Sequence, residues 1–285
     1  MTVLVTGSTG AIGSRVVAGL VAASASVHAL ARTPDKASLP GAKIIKGDFD
    51  QPETLVRALD GVTSVFLLTP PHPDDYAMVK RFLDAAVNRR LKPRIVRLSA
   101  IKATEGGPSE GLRSHGRADR ALLESGLPYA ILRPNYFMQN IFGSTDSILN
   151  SGTIFNSTGD GRIGFIDARD IADVATAVLL DHGWDRGLYD LTGPASLSFH
   201  DVAHELSSAL GRKVTCADIT PEQARAAVLE QGGGDWFAGL IADYSVAYAQ
   251  GWGDFTTSFV EKITGRAPRS IADFAREVFA PALTR

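Results

Sequence analysis

The N-terminal stretch constrains the fold more than any other part of the sequence. An apolar, β-branched run, Val3–Val5, leads directly into Gly7-Ser-Thr-Gly10-Ala-Ile-Gly13, and apolar residues at helical spacing follow over residues 11–21. A strand, a glycine-rich turn and a helix in this order begin a βαβ unit. Glycine permits both the tight turn and a close approach of the helix to the strand.

The same alternation continues to about residue 135. Strand patterns recur at Val3–Val5, Val27–Leu30, Lys43–Ile45, Ser64–Leu68, Arg94–Leu98 and Tyr129–Leu132. Helical spacing separates them at Ala11–Val21, Pro52–Leu59, Pro73–Asn88 and Ser114–Ser125. Such alternation predicts an α/β fold, a doubly wound parallel sheet of the Rossmann type with helices on both faces.

Beyond Asn135 the pattern changes. It predicts a helix over Phe137–Leu149, a short strand and turn over Thr153–Asp160, a helix opened by Asp167, a strand at Leu188–Thr192, a weak strand at Lys213–Ala217, and a helix led by Trp236 and Phe237. We therefore expect a dinucleotide-binding domain over residues 1–150, with returning segments around 165–195. A smaller, mostly helical C-terminal lobe over 196–285 is expected to bind substrate.

Composition excludes several classes of partner and site. A net charge of −2 without any run of Lys or Arg gives no reason to expect nucleic acid. The apolar runs are shorter than a membrane span, and the N-terminus has no leader pattern, so we expect a cytoplasmic protein. Cys216 is the single cysteine, and His200 and His204 form an i,i+4 pair without an evident third ligand. We expect that pair to be a solvated helix face, and no metal.

The glycine-rich turn also predicts a ligand. The helix N-terminus offers amide donors and a partial positive charge to a pyrophosphate, although a glycine run alone also makes a plain tight turn. The predicted cofactor contacts here are Gly7, Ser8, Thr9, Gly10, Ala11, Ile12 and Gly13.

The end of the second strand indicates which dinucleotide is bound. No carboxylate stands there for the ribose 2′-hydroxyl, whereas Arg32 suits a 2′-phosphate by charge and geometry. We expect NADP(H), with a solvated loop arginine as the alternative. Asp48 and Phe49 after the third strand, and Thr69 and Pro70 after the fourth, are further candidate contacts that ordinary loop chemistry explains equally well.

These residues together resemble the NmrA-like group of atypical short-chain dehydrogenase/reductases. The resemblance covers nearly the whole chain, including Gly47-Asp48-Phe49, the helix start at Asp167-Ala-Arg-Asp170, Leu191-Thr-Gly193 and Thr264-Gly-Arg-Ala-Pro-Arg-Ser270. It implies an NAD(P)H-dependent oxidoreductase of the kind that reduces quinones, azo dyes or triphenylmethane dyes, without flavin. The same group contains regulators that sense dinucleotides and catalyse no reaction.

The wider superfamily uses a Tyr as proton donor and a Lys four residues later, and the helical segment over Ser114–Ser125 and the residues just before it contain neither. If Asp119 and Leu122 match the helix pattern that follows, the tyrosine position maps to Gly111 and the lysine position to His115. Ketone reduction and sugar epimerisation are therefore disfavoured, while a planar electrophilic acceptor remains suitable. His115 is the candidate proton donor or ribose contact, with a surface histidine as the alternative, and Ser99 is a candidate substrate-side hydroxyl.

The loop after the sixth strand supplies the remaining candidates. Asn135 is a candidate catalytic residue. A small aromatic or quinonoid substrate is expected to be bound by Tyr136, Phe137, Met138 and Trp236. Phe137 and Met138 serve equally well as the core of the following helix. The leading hypothesis is an NADPH-dependent reductase, and the alternative is a non-catalytic NADP(H) sensor that acts through a protein partner. Whether the chain is a monomer or a homodimer stays open.

Overall fold

A computed structural model describes residues 1–88 and 92–283. It contains a sheet of seven strands in the order β3-β2-β1-β4-β5-β6-β8 and a separate parallel pair, β7-β9. The strands are β1 Thr2–Val5, β2 Ser26–Ala31, β3 Lys43–Lys46, β4 Ser64–Leu67, β5 Arg94–Leu98, β6 Tyr129–Pro134, β7 Thr153–Asn156, β8 Leu188–Leu191 and β9 Thr215–Asp218. The first six pair in parallel, which confirms the predicted doubly wound, Rossmann-type sheet.

The helices follow the predicted order, with several shifted boundaries. They are α1 Gly13–Ala22, α2 Pro52–Ala58, α3 Asp75–Val87, α4 Glu110–Glu124, α5 Thr145–Ser151, α6 Ala168–Leu180, α7 Phe199–Leu210, α8 Pro221–Glu230, α9 Asp235–Ala249, α10 Phe259–Thr264, α11 Ile271–Phe274 and α12 Ala280–Leu283. Short 3₁₀ segments lie at Pro34–Lys36, Met138–Ser144 and His182–Trp184, and a π-helical turn, Ala275–Phe279, joins α11 to α12. The prediction of one helix over Phe137–Leu149 is wrong, because the 3₁₀ segment precedes α5.

The chain divides into two compact units. The first comprises Met1–Gly107, Leu112–Pro134 and Ala168–Asp190, and the second comprises Pro108–Gly111, Asn135–Asp167 and Leu191–Arg285. Residues 135–150, expected in the dinucleotide-binding domain, belong to the second unit. The last two residues of the expected C-terminal lobe lie outside the described residues.

Each unit has its own hydrophobic core. In the first, Phe82 of α3, Leu55 of α2 and Leu122 of α4 pack with Leu4 and Ile95 of the sheet. The central strands β4 and β5 are buried at every position, as a parallel sheet covered on both faces requires. The core of the second unit is aromatic, and Tyr136 makes edge contacts with Phe165, Phe199 and Tyr248 at centroid distances of 5.4–5.8 Å.

Sheet order places the ends of β1 and β4 side by side, at the point where the strand order reverses. Thr6 joins them, because its hydroxyl donates to the Leu68 carbonyl at 2.8 Å and accepts from the Leu68 amide at 2.8 Å. Ligands of doubly wound sheets bind outside the strand ends at such a reversal. Among the described residues, no helix combines the length and apolar character needed to span a bilayer.

Candidate functional site

The loop from β1 to α1 is shaped by three glycines. Gly7 has a φ of +58°, in the left-handed region, and a Cβ there would lie 2.9 Å from the Leu68 side chain. A Cβ on Gly13 would lie 2.1 Å from the Gly7 carbonyl oxygen, and one on Gly10 3.3 Å from the same oxygen. Only glycine at position 13 lets the helix begin this close to the strand. The loop thus keeps an open backbone surface at the end of β1.

The N-terminus of α1 is left available to an anion. Its first turn contains no acidic residue and no side chain caps it. Within the described part of the chain, the amides of Ala11 and Ile12 have no hydrogen-bond acceptor. Unpaired amides at a helix N-terminus bind phosphate, so the residues present fit the pyrophosphate of a dinucleotide.

Ser8 and Thr9 differ in their availability. Ser8 is buried, and its hydroxyl donates to the Leu30 carbonyl at 2.8 Å, so this side chain holds the loop against β2. Thr9 is exposed. The Arg15 guanidinium donates to the Ala11 carbonyl at 2.7 Å and adds positive charge beside the helix start.

At the ends of β2 and β3 the predicted contacts have different surroundings. Arg32 is exposed, and the described residues show no ion pair between its guanidinium and a carboxylate. Asp48 accepts a hydrogen bond from the Asp50 amide at 3.1 Å with one carboxylate oxygen, which leaves the other for a ligand. Phe49 is half-buried and packs against Phe82 at 6.2 Å between ring centroids, so its ring belongs to the core edge.

Beyond β4, Thr69 connects the strand ends to a buried cluster of charges. Its hydroxyl donates to a carboxylate oxygen of Asp75, the first residue of α3. Its side chain is therefore engaged, and a cofactor contact there has to use the backbone. Pro70 is exposed.

The charged cluster consists of Asp75, Arg97, His115, Asp119 and Arg133. Arg97 is fully buried on β5 and donates to Asp119, while Arg133 reaches the second Asp119 oxygen at 2.8 Å. Arg97 Nη2 also lies 3.7 Å from Asp75 Oδ2. Two guanidinium groups thus balance two carboxylates, which is the condition under which buried charges are tolerated.

His115 is held at the edge of this cluster with 26% of its side chain exposed. Arg97 Nη2 lies 3.1 Å from His115 Nδ1. Because a guanidinium only donates hydrogen bonds, Nδ1 must accept, and the neutral ring carries its proton on Nε2. Burial lowers the pKa of His115, and the positive charge of Arg97 lowers it further, against the opposing effects of Asp75 and Asp119. The ring is therefore neutral at pH 7, with an Nε2–H donor.

Gly111 is the second residue of α4 and the position to which the sequence analysis assigned the superfamily tyrosine. A Cβ at Gly111 would lie 2.6 Å from a methyl carbon of Leu240 in α9. Gly111 and Leu240 both belong to the second unit, and a side chain at position 111 would require the end of the Leu240 side chain to shift.

Ser99 follows β5 and is buried, and its hydroxyl is one of the few buried polar atoms in the described residues without a hydrogen-bond partner. A buried hydroxyl without a protein partner is available to form a hydrogen bond with a bound molecule. The expectation of a substrate-side hydroxyl at Ser99 is compatible with this geometry.

Two of the catalytic and substrate-binding residues predicted in the second unit, Asn135 and Met138, are buried and engaged in the fold. Asn135 is buried with both ends of its amide occupied, since Nδ2 donates to the Gly253 carbonyl at 3.0 Å and Oδ1 accepts from the Tyr136 amide at 2.9 Å. This geometry favours a structural role over the expected catalytic one. Met138 is 1% exposed within the hydrophobic core, which favours the core alternative.

Tyr136 lines a cavity of about 90 Å³ together with Phe199, Tyr248 and Ser245. Burial raises the pKa of Tyr136 to about 12, so its hydroxyl stays protonated. Cavities for drug-sized ligands measure about 300–1,000 Å³, so this one holds a small group and not a whole dye. Phe137 and Trp236 are partly exposed. Of the predicted substrate residues, Tyr136 lines this cavity, and Phe137, Met138 and Trp236 do not.

The sequence analysis did not identify Asp75 and Arg97 as site residues. A signal was present, because Arg94 and Arg97 interrupt a strand that a central parallel sheet buries on both faces. An arginine there requires a buried partner, but sequence alone does not say which carboxylate supplies it.

The fold, the loop and the strand-end residues define a dinucleotide-binding protein with a doubly wound sheet. Comparison with known proteins identifies its family: residues 7–182 match the NAD(P)H-binding family, and the chain belongs to it. The resemblance to NmrA-like reductases that the sequence analysis predicted is confirmed.

Two relatives and one solved structure match over almost their whole lengths. The chain is 35% identical to the NAD(P)H azoreductase of Xenophilus azovorans, covering 96% of each protein. It is 30% identical to the (4-alkanoyl-5-oxo-2,5-dihydrofuran-3-yl)methyl phosphate reductase of Streptomyces griseus, covering 98% of this chain and 99% of the relative. It superimposes on the Escherichia coli NADPH-dependent quinone oxidoreductase complexed with NADPH with a TM-score of 0.89 at 24% identity, covering 97% and 99%. The last match shows the fold alone.

Proposed function

We propose that this protein is an NADPH-dependent reductase that transfers hydride directly to a planar electrophilic acceptor of the quinone, azo or triarylmethyl class. The observation that carries the proposal is that α4 has no tyrosine to act as proton donor at the position where the wider superfamily has one. Gly111 stands where a proton-donating tyrosine would be, and His115 is held neutral by burial and by Arg97.

The lack of a positioned proton donor on α4 determines which type of acceptor can be reduced. An alcohol–ketone reaction generates an alkoxide unless a proton arrives with the hydride, so it needs a positioned acid. A quinone, azo group or triarylmethyl cation delocalises or neutralises the incoming charge and can take its proton later from water. The bound nicotinamide supplies the hydride, and the protein has to bind, orient and exclude water.

The residues of the first unit are suited to that task. His115 donates through Nε2–H, because its Nδ1 is occupied by Arg97. Ser99 offers a hydroxyl without a partner. We infer that these two groups bind the nicotinamide ribose or the acceptor, with Arg97 and Asp75 fixing the orientation of the imidazole. The azoreductase and reductase relatives support this class of reaction.

The preference for NADPH rests on Arg32, which is exposed and has no carboxylate partner in the described residues. A charge-assisted contact to the 2′-phosphate contributes about 1.5–3 kcal/mol, so Arg32→Glu should weaken NADPH binding by at least about 10-fold. NADH lacks that phosphate and should bind the variant nearly as well as the original protein.

Arg57→Glu is the matched control, because Arg57 is an exposed arginine on α2 that the proposal does not use. Isothermal titration calorimetry with both cofactors measures the four affinities. Equal losses of NADPH and NADH affinity in Arg32→Glu, or an equal NADPH loss in Arg57→Glu, would remove Arg32 from the 2′-phosphate role.

Turnover is tested by following NADPH absorbance with a benzoquinone, an azo dye, a triphenylmethane dye and an aliphatic ketone. We expect oxidation with at least one of the first three and none with the ketone. Reduction of the ketone would show that a proton donor has been overlooked. If no acceptor is reduced, the reductase proposal is wrong, and calorimetry with NADP⁺ against NADPH then tests the sensor, which has to distinguish the two.

A further inference from the structure

His200, Cys216 and Asp218 bring three different metal-binding atoms together in the second unit. A histidine nitrogen, the cysteine sulfur and a carboxylate oxygen all lie within 4.8 Å of one another. The sequence analysis expected no metal, because His200 and His204 lacked a third ligand along their helix. The additional ligands come instead from β9, which lies next to the start of α7 in the fold.

Local structure explains the convergence. Cys216 and Asp218 stand two residues apart on β9, so both side chains project from the same face of the strand. His200 is in the first turn of α7, whose start is fixed by the capping box between Ser198 and Asp201. Its Nε2 lies 3.5 Å from Asp218 Oδ2.

The Asp218 carboxylate is oriented by a buried residue. Asn156 is 1% exposed, and its Nδ2 donates to Asp218 Oδ1 at 2.7 Å and to the Gly159 carbonyl at 2.9 Å. Its Oδ1 accepts from the amide and the hydroxyl of Thr158 at 2.9 and 2.8 Å. Asn156 therefore cannot rotate freely, and it leaves Oδ2 of Asp218 directed to His200. Outer partners of this kind orient ligands in metal sites.

We propose that His200, Cys216 and Asp218 form a binding site for a zinc-class divalent cation. One thiolate, one imidazole and one carboxylate are the ligand types of Zn²⁺, whereas Ca²⁺ and Mg²⁺ require oxygen ligands. Three protein ligands leave a fourth tetrahedral position for water, and His200 and Asp218 are about half exposed, so this position can open to solvent. Binding requires the thiol proton to leave to solvent as the sulfur–metal bond forms, and no oxidation state changes.

The proposal is independent of the reductase activity, and the test does not use turnover. The full chain, stripped with a chelator, is titrated with Zn²⁺ by calorimetry and with Co²⁺ by absorption. We expect one Zn²⁺ per chain and a sulfur-to-cobalt charge-transfer band in the near ultraviolet. Cys216→Ser should abolish that band, and His200→Gln and Asp218→Asn should each weaken Zn²⁺ binding by at least about 10-fold.

His204→Gln is the matched control, because His204 lies one turn further along the same exposed helix face and outside the three-donor group. It should bind Zn²⁺ as the original protein does. Circular dichroism checks the fold of each variant. No binding at micromolar Zn²⁺, a cobalt band that survives Cys216→Ser, or an equal loss of affinity in His204→Gln would each overturn the proposal.

Discussion

Arg97→Met tests whether the buried charges hold both the fold and the protonation state of His115. The substitution keeps most of the apolar volume and removes one of two positive charges. Asp119, which is 2% exposed, then keeps Arg133 as its guanidinium partner, and Asp75, which is 5% exposed, loses the nearby charge of Arg97. Removing one partner of a buried ion pair typically destabilises a protein by about 3–5 kcal/mol. We expect a loss of this size in the free energy of unfolding.

A second readout concerns the imidazole directly. Arg97 lowers the pKa of His115, while Asp75 and Asp119 raise it. In Arg97→Met the lowering charge is gone and the carboxylates remain, so the pKa of His115 should rise. Urea unfolding followed by tryptophan fluorescence measures the stability. Nuclear magnetic resonance titration measures the pKa, with His115→Gln assigning the signal.

Arg120→Met is the matched control, because Arg120 also contacts two carboxylates, Glu105 and Glu124, but is 62% exposed. It should leave the unfolding midpoint nearly unchanged, as solvent-exposed ion pairs usually do. Adding Asp119→Leu to Arg97→Met restores the charge balance and should recover part of the loss. An Arg97→Met curve that coincides with that of Arg120→Met, or a fall in the pKa of His115, would refute the reasoning.

Three further predictions follow from single contacts. Gly13→Ala places a Cβ 2.1 Å from the Gly7 carbonyl oxygen and so distorts the loop that is proposed to bind the pyrophosphate. This variant should lose the rise in Tm that NADPH causes. Gly239→Ala, whose Cβ meets nothing within 4 Å, should keep that rise. The pKa of His115 is lowered in the folded protein, so near pH 6.5, the ordinary pKa of histidine, the unfolded state binds more protons than the folded state. The folded state should therefore lose stability as the pH drops below 6.5. His115→Gln should show a shallower fall in Tm over the same range. An identical pH dependence would argue against a buried neutral ring. Ser198→Ala removes the cap of α7 and should lower stability by about 0.5–2 kcal/mol in urea unfolding without changing NADPH affinity.

Local patterns were sufficient for most of the fold. Strands and helices of the first unit were predicted because β-branched runs and helical spacing depend on neighbours along the chain. The run after Asn135 was harder, since a short 3₁₀ segment such as Met138–Ser144 and an α-helix place apolar residues at nearly the same spacing. Packing of Met138 and Ile141 into the second core accompanies the 3₁₀ form.

Less of the site could be predicted from the sequence. The glycine-rich loop was found because its spacing is local and its backbone requirement is absolute. The engagement of the Thr69 hydroxyl by Asp75, and of the Asn135 amide by Gly253, depends on partners distant in the chain. Nothing in the residue types indicates that these side chains are occupied.

The sequence by itself determined the βαβ order, the phosphate-binding loop, the arginine after β2 and the missing tyrosine on α4, since each of these is a property of adjacent residues. Tertiary structure decided which atoms meet. It lowered the pKa of His115 by burying the ring and by bringing Arg97 to Nδ1, and it assembled His200, Cys216 and Asp218 from a helix and a strand. Both results depend on distances of a few ångströms between residues far apart in the chain, which no local pattern encodes.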